Sequence, residues 1–146
     1  MDNANLNNIS NDLYMLLLSL NKRIFNPEEM MKSCNLPPSH VKVLFYLIHT
    51  GPCAISEIGN DLSISKPNMT PIVDKLVAEG FLNRFQDPKD RRIIRVEPTD
   101  AACNFLKERE LVIKSRLAER ISPLSDEDLK KLENSIETMT KLLINI

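Results

Sequence analysis

Residues Ala54–Val96 read AISEIGNDLSISKPNMTPIVDKLVAEGFLNRFQDPKDRRIIRV, and the order of signals along this stretch decides the fold. Ile55, Ile58 and Leu62 recur at helical spacing, and Ser63-Ile64-Ser65 then makes a short polar turn that pins Ile64 inward. Ser65 stands where an N-cap belongs, with its hydroxyl placed for an orphan backbone N–H, and Pro67 falls in the first turn, where its missing N–H is tolerated. Met69, Ile72, Val73, Leu76 and Val77 form one apolar face, leaving Lys66, Asn68, Thr70, Asp74 and Lys75 outward, and Gly80 stops the helix in the left-handed conformation. Two strand patterns follow, Phe81–Phe85 and Ile93–Val96, around the polar tip Gln86-Asp87-Pro88-Lys89-Asp90-Arg91-Arg92. Helix, turn, helix, then hairpin is the order of a winged helix-turn-helix, whose second helix enters the major groove of duplex DNA.

Charge supports this reading. The whole chain of 146 residues has a formal charge of −1, so it is not a general polycation. Residues 63–95 nevertheless hold seven basic side chains (Lys66, Lys75, Arg84, Lys89, Arg91, Arg92, Arg95) against four acidic ones, a net of +3, while the flanks on both sides are net acidic. A basic island in an acidic chain is the footprint of a nucleic-acid contact; the rival reading is a chance cluster on a solvated surface.

Outside this stretch the chain reads as helices. The polar opening MDNANLNN frays, and Leu6, Ile9, Leu13, Leu16, Leu17, Leu20 and Ile24 mark a first helix from about Ile9 to Phe25, with Leu16–Leu18 making it apolar on more than one side. Pro27 breaks it, and Glu28–Asn35 forms a short helix or loop. Pro37-Pro38-Ser39 opens another helix with a stripe of Val41, Leu44, Phe45 and Ile48, stopped by Gly51-Pro52. After Pro98 and Thr99 a helix runs from Asp100 to Ile121, and Ser122-Pro123 ends it. Ser125–Asp128 is a capping box opening a last helix, with Leu129, Leu132, Ile136, Met139, Leu142, Leu143 and Ile146 on one stripe. The predicted class is mainly α with a small β-hairpin wing. Residues 1–35 are the N-terminal dimerisation helix and connector, 36–98 the winged helix-turn-helix, and 99–146 the C-terminal dimerisation helices. The two apolar terminal helices either cover each other within one chain or form a homodimer interface. The dimer is preferred, because two-fold symmetry lets two recognition helices reach successive major grooves.

These residues resemble the MarR-type (multiple antibiotic resistance regulator) winged-helix transcription regulators. The similarity is strongest from Leu36 to Arg92: Leu36-Pro-Pro-Ser39-His40 with Val43, Leu44 and Leu47, then Thr70–Arg84, then Asp87-Pro-Lys-Asp90-Arg91-Arg92, of which Asp90-Arg91-Arg92 is the most specific. Two positions depart from the family pattern. Pro37 replaces the usual Thr, and Pro98-Thr99-Asp100-Ala101-Ala102 replaces Leu-Thr-x-x-Gly.

The DNA-facing side chains expected from the recognition helix are Ser65, Lys66, Asn68, Thr70, Pro71 and Lys75. Asn68 is suited to an adenine edge, Thr70 to a thymine methyl or a phosphate, and the opening turn offers free N–H groups to a phosphate. The wing is expected to place Arg92 or Arg91 in the minor groove, where a narrow groove concentrates negative potential. Arg84 and Lys89 serve as phosphate contacts. The resemblance implies that Asp90 orients an Arg by an ion pair. It also implies a repressor that binds a palindromic operator and is released by a small lipophilic or aromatic effector, for which the sequence names no residues.

Other classes fare less well. No nucleophile–base motif, Gly-rich phosphate loop or metal-ligand spacing appears, so no enzyme, cofactor or metal is expected, and His40 and His49 lack companions for zinc. The absence of a leader or an apolar run of spanning length points to a cytoplasmic protein without a membrane partner. Two alternatives stay open: a winged helix that binds proteins rather than DNA, and a thiol-based redox sensor acting through Cys34, since Cys53 and Cys103 suit packing better.

Overall fold

The structure, a computed structural model, describes residues 3–24 and 34–144. Six helices and three strands lie within them, in the order α1 (Asn3–Arg23), α2 (Pro38–Thr50), β1 (Cys53–Ala54), α3 (Ile55–Leu62), α4 (Lys66–Ala78), β2 (Leu82–Gln86), β3 (Ile94–Pro98), α5 (Asp100–Ile121) and α6 (Asp126–Leu143). The expected break at Pro27, most of the segment Glu28–Asn35, and the ends of the terminal helices at Phe25 and Ile146 lie outside the described residues.

Two compact units divide the chain: Met1–Phe25 with Val112–Ile146, and Asn26–Leu111. The second is the winged helix. Its core is Leu36, Val43, Leu44 and Leu47 from α2 and its approach, Ile58 from α3, and Met69, Ile72, Val73 and Leu76 from α4. Cys53, Leu82 and Val96 from the sheet and Ala102 from α5 complete it. The expected inward face of α4 is therefore the buried one. On α2 the stripe is rotated by about one residue. Val43, Leu44 and Leu47 are buried, whereas Phe45, expected inside, is 58% exposed and tilts against the His49 ring at 4.2 Å. With 3.6 residues per turn, 43, 44 and 47 already fill one face, and 45 points away from it.

The sheet has the order β1-β3-β2, antiparallel throughout, with Cys53 opposite Val96 and Leu82 opposite Pro98. The hairpin was legible in sequence, but β1 was not, because two residues carry no periodicity. The compact winged-helix unit includes the first half of α5. Ala102 is fully buried, and Phe105 and Leu106 pack on the winged-helix core, with the Phe105 ring tilted against Phe81 at 5.0 Å.

The caps explain where these helices begin and end. Gly80, at φ +79, closes α4 with a paired reversal: its N–H reaches the Val77 carbonyl (3.0 Å) and the Phe81 N–H the Leu76 carbonyl (2.9 Å). Thr99 joins the two ends of this region. Its hydroxyl donates to the Gly80 carbonyl (2.7 Å) and accepts from the Ala102 N–H (3.3 Å), so the retained Thr does cap α5. Pro37, which cannot cap through a side chain, lets its carbonyl accept from His40 and Val41. At α6, Ser125 Oγ accepts from the Asp128 N–H (3.1 Å) and donates to its carboxylate (2.9 Å).

Gly59 sits at the tightest point of the helix-turn-helix. A Cβ there would stand 2.9 Å from the Ile64 carbonyl oxygen and 3.2 Å from Met69 Cγ. Because the nearer neighbour is backbone, it cannot swing aside. Gly59→Ala is therefore expected to cost about 1–3 kcal/mol by overpacking, more than the ~1 kcal/mol that Ala gains in helix propensity. A melting temperature equal to or above that of the wild type would contradict this.

In the other unit, α1 begins at Asn3, six residues earlier than the periodicity suggests, so residues 3–8 of the polar opening are helical. Neither α1 nor α6 buries a single described residue. Leu6, Ile9, Leu13, Leu16 and Leu17 on α1, and Ile136, Leu142 and Leu143 on α6, are all exposed.

Candidate nucleic-acid interface

The turn between α3 and α4 is built on a costly residue. Ser63 takes the left-handed conformation at φ +54, which lets the Ile64 N–H reach the Gly59 carbonyl (2.8 Å) and turns the chain into α4. Ser65 occupies the N-cap in extended backbone, but its hydroxyl makes no capping bond, contrary to expectation. The Ser65 carbonyl instead accepts from both Asn68 and Met69 (2.9 Å each), and Pro67 brings no N–H. This turn thus offers a phosphate fewer free N–H groups than the sequence suggested, and its contact surface is made of side chains.

Those side chains are Lys66, Asn68, Thr70, Pro71 and Lys75, every one of them exposed on α4. Pro71 is accommodated within the helix, and the Thr70 hydroxyl donates back to the Lys66 carbonyl (3.3 Å).

The wing tip is ordered by two carboxylates. Asp87 Oδ1 accepts the backbone N–H of Lys89 (2.8 Å) and of Asp90 (3.1 Å). Asp90 then grips Arg92: Oδ1 accepts from the Arg92 backbone N–H (3.1 Å) and from Nε (3.0 Å), and Oδ2 from Nη2 (3.0 Å). This fork-on-carboxylate geometry fixes the plane of a guanidinium whose side chain is still 90% exposed. The Arg92 guanidinium, helped by the Arg92 backbone N–H, holds the Asp90 carboxyl below the usual carboxylate range, and the same pairing raises Arg92. Both groups therefore stay charged around neutral pH. Lys89 and Arg91 are exposed beside them.

Arg84 is placed differently from expectation. It lies on β2 with its Nη2 ion-paired to Asp74 of α4, so it ties the wing to the recognition helix rather than standing as an uncommitted phosphate contact. Sequence alone did not reveal this pair, because the two residues belong to different elements.

Helix and wing meet at one cleft of about 520 Å³. Ser56, Asn60 and Ile64 line it from α3 and the turn, Lys66 and Thr70 from α4, and Arg92 and Ile93 from the wing. Recognition helix and wing tip, separate in sequence, thus form walls of one groove.

A profile of the MarR family matches residues 36–94, the span of this winged helix up to β3. Across its winged helix the chain is thus similar to the MarR family. Its relatives include YkoM of Bacillus subtilis, an uncharacterised HTH-type transcriptional regulator, at 35% identity over 95 residues; the match covers 65% of this chain and 62% of YkoM, so the chain spans about three-fifths of that relative. The crystal structure of YusO from Bacillus subtilis superposes with a TM-score of 0.69 at 22% identity, covering 97% of this chain and 99% of that one. A crystal structure of a mutant MarR from Escherichia coli complexed with operator DNA gives a TM-score of 0.58 at 20% identity over 95% of this chain and 99% of that one. The mainly α fold with a small antiparallel sheet is the fold of these MarR structures, and the family is one of transcription regulators rather than enzymes.

No group of three His, Cys, Asp or Glu suited to a metal occurs among the described residues. Cys34 is half-buried against the winged-helix core, and burial pushes the Cys53 thiol up, which favours its inert neutral form. No helix among the described residues is long and apolar enough to cross a membrane.

Proposed function

We propose that this protein is a sequence-specific regulator that binds double-stranded DNA as a homodimer at a palindromic operator, acts as a repressor, and is released by a small lipophilic or aromatic effector. The observation that carries the reading is the shared cleft. Lys66 and Thr70 of α4 and a carboxylate-aimed Arg92 on the wing border the same groove, and Asn68 and Lys75 are exposed on the same helix. A helix-borne row suits base edges in a major groove, and a fixed, exposed guanidinium suits the adjoining minor groove. The MarR structure bound to operator DNA supports the comparison in a protein of the same fold.

The homodimer rests on α1 and α6. Apolar side chains at steps of three and four, exposed on both terminal helices, form a surface larger than scattered single residues explain, and a second copy is its simplest cover. Repression and effector release follow from family resemblance.

Selection of bound sequences from random duplex DNA tests the reading. Enrichment of an inverted repeat is expected, with half-site centres about 10 base pairs apart or a multiple of that. Failure to enrich any sequence would remove the specific-binding claim, and enrichment of single half-sites would remove the dimer.

A further inference from the structure

Arg95 has no place in the interface described above, yet it is one of the most committed cations in the chain. It lies on the central strand β3, opposite Ala54 on one side and Phe85 on the other, with its side chain 27% exposed. Its guanidinium is held at two points. Nη2 donates to the Pro52 carbonyl (3.0 Å), in the approach to β1, and Nη1 reaches Asp87 Oδ2 (3.4 Å), whose carboxylate is 17% exposed.

Asp87 stands at the neck of the wing, where its N–H closes the hairpin on the Ile93 carbonyl (2.9 Å). Its second oxygen takes the N–H groups of Lys89 and Asp90, and Asp90 in turn holds Arg92. Hydrogen bonds therefore run without interruption from the Pro52 carbonyl through Arg95, Asp87 and Asp90 to the Arg92 guanidinium. Two-point anchorage by a planar fork fixes an angle as well as a distance, and Lys could not reproduce it.

From this chain of bonds we propose that Arg95 and Asp87 are positioning residues. They lock the wing tip at a set angle to the segment leading into α3 and so aim Arg92 at the DNA. The proposal rests on the DNA-binding reading and adds to it the residues that set the direction of the wing contact.

The test uses the full chain and a duplex obtained by the selection above. Arg95→Lys keeps the charge and loses the fork; Asp87→Asn, which keeps the shape and loses the charge, serves if Arg95→Lys folds poorly. Each is made alone and combined with Arg92→Ala. Amide exchange at Lys89 and Asp90 should accelerate several-fold in the free Arg95→Lys protein, and operator affinity should fall roughly fivefold. In the Arg92→Ala background the same change should cost nothing further, because the side chain being aimed is gone. An equal loss in both backgrounds would make Arg95 an independent DNA contact and overturn the proposal, as would unaltered exchange with intact binding. Absence of DNA binding in the wild type as well would overturn the reading underneath, and the exchange data would still tell that failure from a failure of the Arg95–Asp87 anchor.

Discussion

Replacing Leu13 and Leu17 together by glutamate is expected to convert the protein to a monomer and to lower operator affinity by about 10²–10⁴-fold. The two positions are one helical turn apart on α1, at 37% and 59% exposure, so both charges can be solvated within a single chain. Folding of one chain thus has little to lose, whereas an apolar interface would have to bury two charges, which it does not tolerate. Loss of the dimer makes the second half-site a separate binding event, and the affinity falls by the effective concentration that linkage had supplied. Sedimentation together with circular dichroism checks it. A folded protein of unchanged mass would show that the α1 face is not the interface.

The second large effect belongs to Arg92. Arg92→Ala should weaken binding to the selected duplex by about 10–100-fold and reduce the salt dependence by about one ion, with little change in thermal stability. The fold is spared because Arg92 is nearly fully exposed and Asp90, its partner, remains solvated when left alone. Asp90→Ala should lower affinity less: the cation stays while its fixed orientation is lost. Equal affinities for wild type and Arg92→Ala in an anisotropy titration would take the wing out of the interface.

What the sequence revealed, and what it hid, follows from the range over which each feature acts. The inward face of α4, the stop at Gly80 and the N-cap at Ser125 are encoded within one or two turns, and each is readable. Phe45 was misplaced because an apolar stripe read at steps of three and four leaves its rotation uncertain by one residue. Ser65 has the residue type of an N-cap, but its carbonyl rather than its hydroxyl takes the bonds there. The Asp74–Arg84 pair and the anchor at Pro52, Arg95 and Asp87 join residues that only the folded chain brings together. No local spacing announces them. The cations of the basic island divide by placement: Lys66, Lys75, Lys89, Arg91 and Arg92 lie on the exposed surface, while Arg84 and Arg95 are ion-paired within the framework.

The central claim is that the α4 row and the wing together grip duplex DNA and read it. Its most direct test is the affinity of the full chain for the selected duplex and for a scrambled one of equal length, titrated between about 50 and 200 mM salt. The predicted result is binding to both that weakens steeply with salt, by about 10³-fold or more for a dimer making six or more phosphate contacts. The selected duplex should stay at least roughly 10³-fold tighter across the range. Affinity that is indifferent to salt, or the same for both duplexes, would contradict it.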